Sequence, residues 1–356
     1  MARRVLRAGL PSITDVAAKA GVSPATVSRF HNSPGIVSPQ TKARIEEAVL
    51  ELGYKPHAAR QLSGQRSGTI GLIVPTIDNA IFSEMIQAFS MALFRNARTM
   101  LVAAHNYDLA REAVLVESLL VGRIDGIALV GLEHTEATMQ QLTQSQVPAV
   151  MVWNYRTRQS LPCIGVDNRD AGRMAMQHLL ELGHQDILTV FAESKANDRA
   201  ADRRLGAIAA AKDAGFEIPA HRRVVCPYDL QASKDLVMAA LAEKPAPTAI
   251  FATNDVIAQG AFFAAMALGV PIPKSLSIIG IGDFRGSSAF EPGLTTLRIP
   301  ARWIGRHAAD VLVEMLEWPN AKMDRSEKYT IELNLRGSTA PPPTSPRTGK
   351  RSSKSR

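Results

Sequence analysis

The sequence predicts an α/β protein with a three-helix helix-turn-helix unit at its N-terminus and a two-lobed, doubly wound core behind it. Three observations carry this expectation. Cap-and-turn signals recur three times between residues 12 and 53. Short apolar, β-branched runs then alternate with helical patterns, the signature of parallel sheets covered by helices. The alternation restarts partway along a chain of 356 residues, enough for more than one core.

The first helix opens at Ser12, with Asp15 in the capping-box position. Val16, Ala17 and Ala20 share one face, and Gly21 supplies a turn where a residue without Cβ is least strained. Ser23-Pro24 is an N-cap followed by proline at the first helical position. In this second helix Val27 points inward, Ala25 is small, and Thr26, Ser28 and Arg29 leave a short, polar outer face. A pattern this brief also suits an ordinary helical hairpin. As a helix-turn-helix, its second helix would present its N-terminal residues to base edges. A third helix opens at Ser38-Pro39, carries Ile45, Ala48, Val49 and Leu52 at helical spacing, and ends at Gly53. Three short helices bury little surface, so the unit is marginal by itself.

The core begins with TIGLIV (69–74), TMLVAA (99–104), GIALV (126–130) and AVMVW (149–153), read as buried strands. Helical stretches near 80–95, 110–122 and 135–145 separate them. The theme restarts with CIGV (163–166), ILTVF (187–191), RVVC (223–226), AIFA (249–252) and SIIGIG (277–282), alternating with helices near 170–183, 200–214, 230–242 and 254–268. LTTLRI (294–299) and a helix near 301–316 are expected to return to the first lobe. The expected units are 1–55, a linker at 56–67, a core at 68–338 and a basic tail at 339–356 without fixed structure. Within the core, the expected first lobe is 68–162 with 292–322, and the second 163–291 with 323–338. Ligands of such folds bind beyond the carboxyl ends of the strands, which places a small molecule in the cleft between lobes.

Charge is unevenly placed along a chain of net +8. Residues 1–66 carry 10 Lys+Arg against 4 Asp+Glu, and residues 340–356 carry 5 basic side chains and no acidic ones. A basic N-terminal unit suits phosphate contact, because neutralising phosphates releases counterions. The tail PPPTSPRTGKRSSKSR has the composition of a disordered segment. Two cysteines, Cys163 and Cys226, do not make a disulfide framework. No apolar run approaches a membrane span, and no apolar segment follows the N-terminal arginines as in a signal peptide. The expectation is a cytoplasmic, reduced protein.

Catalytic signatures are thin. The phosphate-loop, nucleophile-elbow and HExxH patterns are absent. GIGDFRG (280–286) only loosely resembles a dinucleotide fingerprint and occurs at a late strand. His178 and His184 fall on nearly opposite sides of a helix, which argues against a metal site. No catalytic residue, metal or cofactor is expected. Trp153 and Asn154 end a strand, where packing and pocket lining are both open readings.

The segments SITDVAAKAGVSPATVSRFHN, VSPQTKARIEEAVLELGYKP and GLIVPTIDNAIFSEM resemble successive blocks of the LacI/GalR family of transcription regulators. So do GRIDGIAL, IGVDNRDAGRMAMQHLLELGH, AIFATNDVIAQGA and PGLTTLRIPARWIGRHAADVL, so that the likeness spans about residues 12–338. SRF, the HT of LEHT and the GIGD block are most similar to repressors that sense gluconate or related sugar acids. The resemblance implies a helix-turn-helix headpiece joined to a periplasmic-binding-protein-like core. It also implies a homodimer or higher assembly, double-stranded operator DNA, and a small effector, a sugar or sugar acid, between the lobes. The polar C-terminus offers no heptad repeat for assembly beyond a dimer. A transport-type binding protein, or a two-lobed enzyme with a regulatory headpiece, shares the core pattern; the headpiece and the missing catalytic signatures argue against each.

By position, the resemblance makes Pro24 and Ala25 the variable specificity places and Arg29 the guanine contact, a pairing worth roughly 1–3 kcal/mol of discrimination. Ser23, Thr26 and Ser28 are phosphate or capping residues. In the linker it implies a hinge helix with Ala59 and Leu62, Leu62 wedging between bases in the minor groove. Pro56 to Leu62 is one residue shorter than the family's usual spacing, and His57 replaces a common asparagine. A deleted residue turns a helix by about 100°. For the effector, the resemblance points to Asp78, Asn79 and Phe82 in the first lobe and Asp167, Arg203, Asn254, Asp255 and Asp283 in the second. Arg203 suits a carboxylate, which it can hold bidentately, whereas Asp167 and Asn254 also suit helix caps. Gly282 stands where the family often has a side chain that accepts a sugar hydroxyl, a departure that would favour an anionic ligand.

Overall fold

The computed structural model describes residues 11–32, 37–54, 66–319 and 325–343. Two compact units divide the chain, the first ending at Thr69 and taking in Leu119–Asp125, the second comprising the rest of the core. Pro56, His57, Ala59 and Leu62, the expected hinge residues, lie outside the described residues, as do residues 344–356 of the tail.

The first unit contains α1 (Ile13–Ala20), α2 (Pro24–Asn32) and α3 (Pro39–Leu52). Its ends follow the expected chemistry. Ser12 accepts from the Asp15 amide and Asp15 reaches back to the Ser12 amide at 2.8 Å, a complete capping box. Gly21 closes α1 at φ +63° and Gly53 closes α3 at φ +60°, left-handed positions that favour glycine. Val16, Ala17, Ala20, Val27, Ile45, Ala48 and Tyr54 form a small buried core. The Arg44 guanidinium donates to the Gly21 carbonyl at 3.0 Å, and Lys19 pairs with Glu51, tying α1 and its turn to α3.

The second unit has two six-stranded sheets with the same internal order. The first contains β1 (Thr69–Val74), β2 (Thr99–Ala104), β3 (Gly126–Val130), β4 (Ala149–Asn154), β5 (Cys163–Val166) and β11 (Glu327–Lys328), arranged β11-β5-β4-β3-β1-β2. The second contains β6 (Ile187–Ala192), β7 (Arg223–Cys226), β8 (Ala249–Ala252), β9 (Ser277–Gly282), β10 (Thr295–Arg298) and β12 (Glu332–Asn334), arranged β12-β10-β9-β8-β6-β7. Reading from the other edge, each runs 2-1-3-4-5 in local order, a doubly wound topology whose order reverses between its first and third strands. β12 is antiparallel to β10; β3, β4, β5 and β11 pair in parallel, as do β7, β6, β8, β9 and β10.

The lobe boundaries differ from expectation. β5 completes the first sheet rather than opening the second, because its backbone pairs with β4. LTTLRI does not return to the first lobe: β10 stays beside β9, and only the following helix crosses back. β11, placed in the second lobe from sequence, pairs with β5 in the first. The chain therefore passes between the sheets three times. The tail also begins later than expected, since the Ala340 amide and carbonyl both bond the buried Ser277 hydroxyl, at 3.0 and 2.9 Å.

The helices are α4 (Ala80–Arg95), α5 (Leu109–Val121), α6 (Glu136–Ser145), α7 (Asn168–Glu181), α8 (Asp198–Asp213), α9 (Leu230–Ala242), α10 (Asp255–Ala267) and α11 (Ala301–Glu317). They pack in pairs, α4 with α11, α7 with α8, and α9 with α10. Glycines set the α7–α8 approach. A Cβ at Gly172 would lie 1.9 Å from the Arg203 carbonyl, and one at Gly206 would lie 1.9 Å from that of Arg169. Backbones this close leave no room for a side chain, and α8 is the helix that carries the arginines of the cleft.

Candidate functional site

Two surfaces carry the chemistry. On α2 the exposed residues are Ser23, Pro24, Ala25 and Arg29, with Thr26 and Ser28 half-buried and Val27 fully inside. Ser23 accepts from the Thr26 amide at 3.1 Å and shares a hydroxyl bond with Thr26 at 2.8 Å. Both hydroxyls thus serve the helix start. Pro24 and Ala25 present only apolar atoms, and Arg29 presents a long cationic fork one turn later.

The second surface is a cavity of about 720 Å³ between the lobes of the core. Its walls follow the topology. Thr76, Asp78 and Asn79 come after β1, Tyr107 after β2, Asn197 after β6 and Tyr228 after β7. A small recess of about 20 Å³ shares Asn79, Tyr107 and Tyr228 with it and adds Phe82, Trp153, Arg199, Arg203 and Asn254. Aromatic rings form its sides: Phe82 tilts against Trp153 at 4.8 Å between centroids, and Tyr107 faces Tyr228 at 6.4 Å. Burial pushes the Tyr107 hydroxyl above the ordinary tyrosine range, keeping it a neutral donor. Trp153 holds φ +85°, a left-handed conformation unusual for a bulky residue, at the point where its backbone crowds Gly165 of β5. A Cβ on Gly165 would lie 2.4 Å from the Trp153 carbonyl.

Arg203 is 4 % exposed. Its Nε donates to the Asn168 side-chain oxygen at 2.8 Å and its Nη1 to the Thr253 carbonyl at 2.9 Å, both neutral acceptors. Asn168 in turn donates to Asn154. Burial lowers the Arg203 pKa, the expected response of a cation taken from water without a bonded carboxylate. A buried guanidinium whose bonded partners are neutral keeps its charge available to an anion.

Of the eight effector candidates, Asp78, Asn79, Phe82, Arg203 and Asn254 line the cavity or its recess. Asn79 and Asn254 also cap α4 and α10. Three candidates are placed elsewhere. Asp167 caps α7 through the Arg169 and Asp170 amides and pairs with Lys328 at 3.5 Å. Asp255 is fully buried, with its oxygens taken by the Thr296 and Ser287 hydroxyls at 2.6 and 2.8 Å and the Phe284 amide. Burial pushes its carboxyl up, toward the neutral form. Asp283 accepts from Arg336 at 2.6 Å and Asn334 at 2.7 Å and borders a separate cavity with Trp303. In each case the acid satisfies donors of the fold, many of them distant in sequence.

Sequence reasoning missed Tyr107, Asn197, Arg199 and Tyr228, although their placement after strands was a usable signal. The Arg199–Arg203 spacing, which puts both on one helix face, was another. His134 and Thr135 of LEHT are not among the lining residues of the cavity or its recess. His134 bonds the buried Glu112 carboxylate at 2.8 Å, and Thr135 caps α6. His184 is held by Thr248 at 2.9 Å, Ser277 and the Ala340 carbonyl, a structural role. Among the described residues there is no cluster of three metal-ligating side chains, and no helix is long and apolar enough to cross a membrane.

Comparison with known proteins matches a family to each unit of the chain. Residues 12–57 match the family described as bacterial regulatory proteins, lacI family. Residues 67–339 match periplasmic binding proteins and the sugar binding domain of the LacI family. The chain is 30% identical over 335 residues to the HTH-type transcriptional regulator GntR of Pseudomonas aeruginosa, covering 93% of this chain and 96% of that protein. It is 30% identical to the HTH-type transcriptional repressor PurR of Pectobacterium atrosepticum, covering 91% and 94%. Among solved structures, a LacI-family regulator from Silicibacter pomeroyi superposes with a TM-score of 0.82 at 26% identity, over 93% of this chain and 99% of that one. The lac repressor dimer bound to operator and an anti-inducer superposes with a TM-score of 0.78 at 25% identity, over 93% and 100%. With a helix-turn-helix headpiece, a doubly wound two-lobed core and family matches over both, the chain belongs to the LacI family of bacterial regulatory proteins and is a DNA-binding transcriptional regulator carrying that family's sugar-binding domain.

Proposed function

We propose that this regulator is a cytoplasmic homodimeric repressor of carbohydrate or sugar-acid catabolism genes, whose operator affinity is set by a sugar acid bound in the cleft. The observation that carries the effector class is Arg203, a buried guanidinium at the inner end of the cleft with only neutral acceptors. A carboxylate entering there gains a charge-assisted bond in a poorly hydrated site, whereas a neutral sugar leaves the charge uncompensated. Asp78, Asn79 and Asn254 meet hydroxyls of the polyol body, and Phe82 and Trp153 meet its apolar face.

On DNA, two headpieces of a dimer read the halves of a pseudopalindromic site, as the operator-bound dimer of the lac repressor suggests. Arg29 reads guanine, Pro24 and Ala25 make apolar contacts, and Ser23, Thr26 and Ser28 approach phosphates; Ala59 and Leu62 serve the minor groove. Linkage requires that effector and operator change each other's affinity by the same factor. The test is operator binding by the purified protein at fixed salt, across a panel of sugars and sugar acids. Response to gluconate-like acids and not to their neutral counterparts is expected; response to neutral sugars alone would remove the anionic assignment.

A further inference from the structure

Arg199 stands one helical turn before Arg203 on α8 and has no role in the reading above. It is 5 % exposed and lines the same recess. Its Nη1 donates to Asp198 at 2.9 Å, while its Nη2 is buried without a hydrogen-bond partner. The wall beside it is backbone: a Cβ at Gly131, at φ +106°, would lie 2.7 Å from Nη1. Asp198 is saturated. One carboxylate oxygen accepts from Arg199 Nη1 and the Arg199 amide, the other from the Leu132 amide and the Asn154 side chain, both at 2.7 Å. Leu132 follows β3 and Asn154 ends β4 of the first lobe, so one acid from the second lobe gathers both walls around the guanidinium.

We propose that Arg199 is a second anion ligand of the effector recess, positioned by Asp198, and that the pair limits the recess to an effector bearing a single carboxylate at its inner end. The proposal rests on the sugar-acid reading of Arg203. Its specificity follows from charge. Arg199 and Arg203 line the recess with two positive charges, and among the described residues Asp198 is the one acid bonded to either of them. One positive charge is left over, which a carboxylate balances. A neutral sugar leaves it unbalanced, and a phosphate monoester exceeds it. The free Nη2 of Arg199 gives that carboxylate a donor from a second direction.

The experiment is calorimetric titration of the full-length protein at fixed ionic strength with three probes of similar skeleton: D-gluconate, D-glucose and D-glucose 6-phosphate. Wild type is expected to bind gluconate at least about tenfold more tightly than either of the others. Arg199→Gln is expected to lose about tenfold or more for gluconate, with Arg199→Lys intermediate because it keeps charge but not the fork. Asp198→Asn keeps the shape and one acceptor but uncovers a positive charge. It is expected to move the gluconate-to-phosphate preference at least about tenfold toward glucose 6-phosphate. Circular dichroism and thermal melts of each variant report folding. Three outcomes overturn the inference while leaving the sugar-acid reading intact: Arg199→Gln binding gluconate like wild type, Asp198→Asn leaving the preference unchanged, or both variants losing every probe together with thermal stability. Wild type preferring glucose to gluconate would instead overturn the sugar-acid reading and, with it, this inference.

Discussion

The headpiece and the effector recess are held by opposite kinds of bond. Ser12–Asp15, Ser23–Thr26 and Ser38–Thr41 each close a helix start from three residues away. In the core, Asp198 bonds Leu132 across 66 positions, Arg203 bonds Thr253 across 50, and Thr296 bonds Asp255 across 41. Among the described residues, the headpiece buries seven apolar side chains and exposes Ser23, Pro24, Ala25 and Arg29. The recess does the reverse, burying Arg203 among neutral partners and Arg199 against Asp198. A surface that reads a polyanion works best with hydrated, accessible charge, while a pocket that selects a small ion gains from desolvated charge.

The largest expected break in this comparison is on the core side. Gly206→Ala forces a side chain against the Arg169 carbonyl and should cost about 3 kcal/mol. Calorimetry should show the core transition lowered by roughly 6–12 °C, with the headpiece helices unaffected. A core transition within about 2 °C of wild type would mean that the α7–α8 approach adjusts easily.

Next, Arg29→Ala should weaken the preferred operator by about 1–3 kcal/mol, or roughly 5- to 150-fold, and relax selectivity at one base pair. Effector affinity of the free protein should not change. Equal loss on random DNA would instead mark Arg29 as a phosphate contact.

Ser23→Ala removes the cap of α2 at a cost of about 1 kcal/mol. That is a large share of the stability of so small a core, so helical signal from the headpiece should melt earlier while the core transition stays in place. Unchanged headpiece melting would show that Pro24 alone secures the helix start.

The smallest effect is in the response to acid, where the two regions have opposite signs. Hydrogen bonds from Ser12 hold the Asp15 carboxyl below the usual aspartate range. The unfolded chain then binds more protons between the two values. Asp15 therefore contributes stability above the ordinary aspartate pKa, and this is lost as pH falls through its depressed one. Burial raises Asp255, so the native state binds the extra proton; its ionisation weighs against folding above the raised value and relaxes as pH falls. Carboxyl NMR titration should find Asp255 titrating at higher pH than Asp15, and the reverse order would cancel the contrast.

Much of this was legible before the structure. TIGLIV, GIALV and SIIGIG became β1, β3 and β9 with the expected bounds, because buried parallel strands are continuous apolar runs between turn residues. The capping box at Ser12 and the glycine turn at Gly21 were equally readable, since cap and partner lie within one turn. The lobe boundaries were not: which sheet receives β5 or β10 depends on pairing with strands far along the chain. Among the site residues that the family resemblance pointed to, Asp78, Asn79, Phe82, Arg203 and Asn254 line the cavity or its recess. Asp167, Asp255 and Asp283 have the same local signature but spend their oxygens on the fold.

The amino-acid order thus sufficed for the element types, their caps, the helix-turn-helix and the doubly wound plan, because each rests on residues within a few positions of one another. Tertiary structure alone decided where the three crossings between sheets fall and which acids turn inward as anchors. It also decided that Arg199 and Arg203 end in one recess with Asp198 and no other bonded acid. Those outcomes depend on distant backbones meeting, as at Gly172 and Gly206, and on how burial redistributes the donors that each buried charge requires.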